Sequence, residues 1–79
     1  MIRVLFFGPV AERIGSNALQ AEHRPEMSLK DLRDELAAAY PQAFEIVCFM
    51  AVNGEHVHDL SIALTDNSEV AFMAKFSGG

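Results

Sequence analysis

One amphipathic helix signal, set among short strand signals, constrains the fold of this chain more than any other feature. It runs from Ser28 to Tyr40. Ser28 can cap the amides of the first turn, and Asp31, three residues on, completes a capping-box pattern. Met27 before the cap and Leu32 at the fourth helical position suit a hydrophobic staple. Leu29, Leu32, Leu36 and Tyr40 follow the i, i+3, i+7, i+11 spacing of one helical stripe, so Tyr40 is assigned to the core. Lys30, Arg33, Asp34 and Glu35 lie mostly off that stripe. Pro41 stops the helix, because it lacks the amide that the next turn needs.

The remaining signals are strands and turns. Ile2 to Phe7 is β-branched and aromatic, and Gly8-Pro9 ends it. Alternation puts Ile2, Val4 and Phe6 on one face and Arg3, Leu5 and Phe7 on the other, with Arg3 marking the wetter side. Val10 to Gly15 is expected to be a short irregular or helical turn, and Asn17 to His23 a weak strand paired back on the first. Cys48 to Val52 gives a third strand, Asn53-Gly54 a reverse turn, and Val57 a brief return. Leu60, Ile62 and Leu64 alternate before the Asp66-Asn67 turn. In the last strand, Glu69 to Lys75, Val70, Phe72 and Ala74 face one way; Glu69, Ala71, Met73 and Lys75 face the other. A lone helix and a sheet each have one face to bury, so the helix must cover the sheet. The expected class is α+β: a β-grasp, or ubiquitin-like, domain with a mixed sheet and one main helix packed on one face. Its first and last strands lie side by side and parallel. The domain is expected to span 1–74 and a flexible C-terminal tail 75–79.

Composition excludes several functions. Seventy-nine residues make one domain with a small core. Hydrophobic residues make up 51% of it, more than such a core needs, which points to apolar surface kept for a partner. Eleven acids against six bases give a net charge of −5 with no Lys/Arg cluster, so nucleic acid is not an expected partner. The acidic balance would suit a basic protein partner, though an ordinary solvated surface explains it equally well. Cys48 is the only cysteine, which excludes an internal disulfide; its apolar neighbours predict a buried, inert thiol. No apolar run approaches the ~18 residues of a membrane span, and no secretory leader pattern opens the chain, so a cytoplasmic location is expected. Ser, His and Asp residues are scattered. His56 and His58 share a face near Asp59 but lack a third convergent ligand, so no metal site is expected. His23 before Pro25 is a loop histidine. Without a Gly-rich phosphate loop followed by Lys, the isolated chain is expected to bind no cofactor, ATP included.

What remains is Phe76-Ser77-Gly78-Gly79. Gly78 and Gly79 have no Cβ and can thread a channel closed to other residues; Ser77 precedes them. The expected working group is the Gly79 carboxylate. It is inert until activated, typically by ATP as an acyl-adenylate, and its acyl carbon can then accept sulfur or an amine. A frayed end is the bland alternative. Lys75 to Gly79 spans at most ~17 Å, enough to deliver that group into another protein's pocket. Leu5, Phe7, Ala71 and Met73 flank the root of the tail on the outer sheet face. Phe76 would serve as an aromatic anchor if a partner buries it.

Ile2 to Phe7, Ala11-Glu12-Arg13 with Gly15, Ala51-Val52-Asn53-Gly54, Leu64 to Phe72 and Ser77-Gly78-Gly79 together resemble the small subunit of molybdopterin synthase, a β-grasp sulfur carrier related to the thiamine-pathway carrier. The resemblance covers nearly the whole chain. Asp66-Asn67-Ser68 stands where the family usually has Asp-Gly-Asp, and Asn tolerates the left-handed conformation of that turn. Ala74-Lys75 replaces a frequent Pro-Pro pair, which makes the tail less stiff. The resemblance implies that an adenylating enzyme of the ubiquitin-activating type uses ATP to activate Gly79. A sulfur donor then leaves a thiocarboxylate there. The large synthase subunit takes the tail and passes the sulfur to cyclic pyranopterin monophosphate, in a heterotetramer of two small and two large subunits. Gly79 would carry the sulfur, Gly78 and Ser77 would thread with it, and Phe7, Met73, Lys75 and Phe76 would contact the partner. The chain would not be an enzyme alone. A thiamine-pathway carrier, a ubiquitin-like modifier and a plain binding module are the alternatives.

Overall fold

The computed structural model describes residues 1–75. Five strands form one mixed sheet: β1 (Ile2–Phe6), β2 (Ala18–Ala21), β3 (Val47–Val52), β4 (Glu55–Val57) and β5 (Glu69–Ala74). Their spatial order is β2-β1-β5-β3-β4. β1 and β5 pair in parallel at the centre, from Arg3 opposite Glu69 to Phe6 opposite Phe72, as the alternation predicts. β2 runs antiparallel to β1, and β3 antiparallel to both β5 and β4. Asn53 and Gly54 close the β3–β4 hairpin with φ of 50° and 85°. Both angles lie in the left-handed region that a two-residue hairpin turn requires. Asn53 also accepts a hydrogen bond from the Glu69 amide through its side chain (2.9 Å), tying this turn to the start of β5.

The main helix, α2 (Leu29–Ala39), begins with the predicted capping box. The Asp31 amide donates to Ser28 Oγ (3.1 Å) and the Ser28 amide donates to Asp31 Oδ2 (2.9 Å). Leu29, Leu32 and Leu36 are buried together with Met27, and they share one core with Ile2, Val4, Phe6, Val70, Phe72 and Ala74. Tyr40 is half-buried against that core rather than inside it. Ser28→Ala is expected to cost about 1 kcal/mol, since it orphans a first-turn amide; a denaturant titration measures it. Hydrogen bonds from Ser28, first its backbone amide, hold the Asp31 carboxyl below the usual carboxylate range. The carboxylate's contribution is therefore complete above its unfolded value and is lost as pH falls through the lowered folded value.

Two short helices complete the frame. The segment after Gly8 forms α1 (Pro9–Ile14), with Gly15 ending it at φ 87°. Pro41 does more than stop α2, because it opens α3 (Pro41–Phe44) from the first helical position, where its missing amide costs nothing. α3 brings Phe44 edge-on to Phe72, with ring centroids 5.0 Å apart.

One expectation fails. Cys48 is exposed, not buried. The pairing of β3 with β5 shifts register between Val47 and Phe49. A bulge of that kind breaks the alternation of faces and turns the extra residue outward. A uniformly apolar stretch such as Ile46 to Val52 hides where the bulge falls.

Candidate protein-docking site

The sheet has one covered face and one open face. Because opposed residues in register share a face, Leu5, Ala18 and Ala71 lie together on the open side, as do Ala51 with Ala71 and Phe49 with Met73. Ala71 and Ala51 are small, so the centre of this face is low and flat. Bulk is concentrated at its upper end. Phe7, one residue beyond Phe6 opposite Phe72, is 44% exposed, Phe49 is 37% exposed and Met73 is half-buried between them. These three side chains form an apolar row across β1, β5 and β3. Phe49 is held from the far side by His56, ring edge to face at 6.4 Å. At the lower end the charged pair Arg3–Glu69 (3.9 Å) closes the patch. Beside the row, toward β2, lies a shallow groove of about 470 Å³ lined by Arg3, Leu5, Phe7 and Ala18 among others.

Local sequence sets this geometry. Gly8 takes φ 55° and ψ −131°, a combination that disfavours any side chain, and so turns the chain sharply out of β1 into α1. The Phe7 amide still donates to the Phe72 carbonyl (3.4 Å), which keeps Phe7 on the sheet beside β5. β5 ends at Ala74, paired with Val47, and exposed Lys75 follows at the same end as the apolar row. Of the residues predicted to contact a partner, Phe7, Met73 and Lys75 are thus brought to one end of the sheet. Phe76, Ser77, Gly78 and Gly79 lie outside the described residues.

Sequence reasoning missed Phe49. Counting alternate residues back from Asn53 would have put Phe49 and Ala51 opposite in parity to Met50 and Val52, but no faces were assigned along this strand. The carboxyls held below their usual range sit elsewhere. Asp59 is lowered by the Ser61 hydroxyl, and Asp66 by the N-terminal ammonium that donates to it. Among the described residues no group of three His, Cys, Asp or Glu could hold a metal ion. No helix among them is long and apolar enough to cross a membrane.

Parallel central strands, one main covering helix and an open apolar face at the root of the C-terminal segment define a ubiquitin-like β-grasp domain. The chain belongs to the ThiS family, whose family model matches residues 4–79. No significant match is found among curated proteins. Solved structures agree on the fold. SAMP1 from Haloferax volcanii is 24% identical over 99% of this chain and 98% of its own, with a TM-score of 0.83. A putative molybdopterin converting factor, subunit 1, from Pyrococcus furiosus is 20% identical over 95% of this chain and 97% of its own, also at 0.83. A complex of subunits 1 and 2 of the molybdopterin-converting factor from Helicobacter pylori 26695 contains a chain 26% identical over 99% of this chain and 97% of its own, at 0.63. The fold is that of the ThiS-type sulfur carriers.

Proposed function

We propose that the chain is the sulfur-carrying small subunit of a molybdopterin synthase. The observation that supports this most is positional. β5 runs parallel beside β1 and hands the chain on at Lys75, next to the Phe7–Met73–Phe49 row. A partner that grips this row therefore receives residues 76–79 at a fixed origin. The row and its alanine floor cover on the order of 300 Å², given strands ~4.8 Å apart and a rise of ~3.3 Å per residue. A stable interface needs about 800 Å² per partner. The tail adds the missing contact, so face and tail bind as one unit. The Helicobacter pylori neighbour, a complex of subunits 1 and 2, favours a large synthase subunit as that partner.

The chemistry belongs to Gly79 and to partners. On an adenylating enzyme, a Gly79 carboxylate oxygen attacks the α-phosphorus of ATP and pyrophosphate leaves. Hydrosulfide from a sulfur donor then attacks the acyl carbon, AMP leaves and the S–H proton is lost, which gives the thiocarboxylate. In the large subunit that sulfur passes to cyclic pyranopterin monophosphate, with acid-base groups supplied by the partner. A thiamine-pathway carrier has the same fold and tail, and the family's name keeps that reading in view. Intact-mass analysis after incubation with the adenylating enzyme, ATP and a sulfur source tests the carrier role. One oxygen replaced by sulfur at Gly79 is expected. Capture of a thiazole synthase in place of the large synthase subunit would reassign the acceptor.

A further inference from the structure

We propose that the open face docks against a partner surface whose apolar centre is bordered by carboxylates, and that His56 is its contact at the far edge. This rests on the open face being the docking surface. The strand pairings line up Leu5, Ala71, Ala51 and His56 across β1, β5, β3 and β4, so His56 stands on that face. It is exposed, and its ring packs on Phe49 with centroids 6.4 Å apart. Glu55, its neighbour on β4, pairs with Val52 and belongs to the opposite face.

The face differs in charge from the chain as a whole, which carries −5. Among the described strand residues that the pairings place there, Glu69 is the only acid, and Arg3 takes it at 3.9 Å. Lys75 stands at the upper end, beside the apolar row. Among the described residues no carboxylate forms an ion pair with Lys75 or His56. Glu45 shares the groove at the tail root with Lys75, but Arg13 holds it at 3.5 Å. The acidity of the chain therefore lies on other surfaces, and the docking side presents donors. A partner that grips Phe7, Met73 and Phe49 brings Lys75 and His56 under its border. Burying an ammonium without an acceptor is costly. The imidazole has an N–H to donate in either tautomer and in its charged form, and a carboxylate accepts in every case. A basic surface would instead meet like charge at Lys75, which disfavours it. Carboxylates at the border serve both ends of the row, so the matching surface has the sign opposite to the one the net charge suggests.

Association of the full chain with the large synthase subunit is measured at low and high salt, for the parent and for charge variants whose melts match it. At low salt, His56→Glu and Lys75→Glu are each expected to weaken binding about tenfold, and His56→Lys to strengthen it about threefold. These differences should shrink at high salt, as they do for charges at the border of an interface. Lys30→Glu, on α2 and away from the face, should change binding by less than about twofold. His56→Glu or Lys75→Glu binding as tightly as the parent overturns the proposal, and so does His56→Glu binding more tightly than His56→Lys. A parent chain that binds no large subunit is a failure of the acceptor assignment instead. The same variants are then compared on the adenylating enzyme, where the expected order of affinities supports the carboxylate border and any other order overturns it.

Discussion

Phe72→Ala is expected to bring the domain close to unfolding. Phe72 is fully buried on β5, the strand held between β1 and β3. It stacks on Phe6 at 6.2 Å and takes the edge of Phe44 at 5.0 Å, so one ring joins the sheet centre to α3. Truncating a buried Phe costs ~3–5 kcal/mol, through lost transfer energy and the cavity left behind. A domain of 79 residues has roughly 4–12 kcal/mol of stability in all. The loss is therefore between about a quarter and the whole of it. At about 4–8 °C per kcal/mol for a domain this small, the melting midpoint should drop by at least ~12 °C. Phe49→Ala supplies the contrast, because its ring stands on the open face and packs on His56 rather than in the core. Its cost should stay near ~1 kcal/mol. Thermal melts followed by circular dichroism compare the two directly. Equal shifts would mean that the assignment of covered and open faces is wrong.

Face assignment is also where the sequence was most and least legible. In β1 and β5 the alternation is clean, and Arg3 and Glu69 mark the open side. Ile2, Val4, Phe6, Val70, Phe72 and Ala74 were therefore readable as core, and all are buried. α2 was readable because its cap chemistry and its leucine stripe agree; two independent signals fixed one start and one face. The Asn53-Gly54 turn was readable because few residue pairs accept two successive left-handed conformations. β3 was not legible in the same way. Val47 to Val52 is apolar at every position, so period two leaves no mark, and the bulge that exposes Cys48 depends on a tertiary pairing with β5. Phe49 was lost for that reason. α3 was hidden because Pro41 signals both the end of one helix and the start of the next. Within the candidate site, the positions of Phe7 and Met73 followed from parity alone, and the low floor of Ala51 and Ala71 between them became visible only once the register was known.

Adding a single alanine after Gly79 is expected to abolish loading of sulfur while leaving the folded domain unchanged. If Gly79 carries the sulfur as proposed, the added residue moves the carboxyl that would react outward by ~3.5 Å and gives it a neighbouring Cβ. Both changes matter for the same reason. Acyl activation needs the attacking oxygen within about 3–3.5 Å of phosphorus and in line, and a misplacement of ~1 Å already costs on the order of 10²-fold. Under the proposed function the partner's channel is shaped for glycine and would accommodate neither the extra length nor the methyl group without shifting the whole tail. Nothing in the sheet should respond. β5 ends at Ala74, and the core that holds it lies on the covered face. Melting curves and binding through the Phe7–Met73–Phe49 row are expected to match the parent. That separates this variant from Phe72→Ala, whose loading is expected to fall with its stability. Intact-mass analysis after incubation with adenylating enzyme, ATP and sulfur source reads the result. If the extended chain, shown by mass to be unprocessed, still acquires sulfur at the parent rate, the working group is not the Gly79 carboxylate and the carrier reading fails.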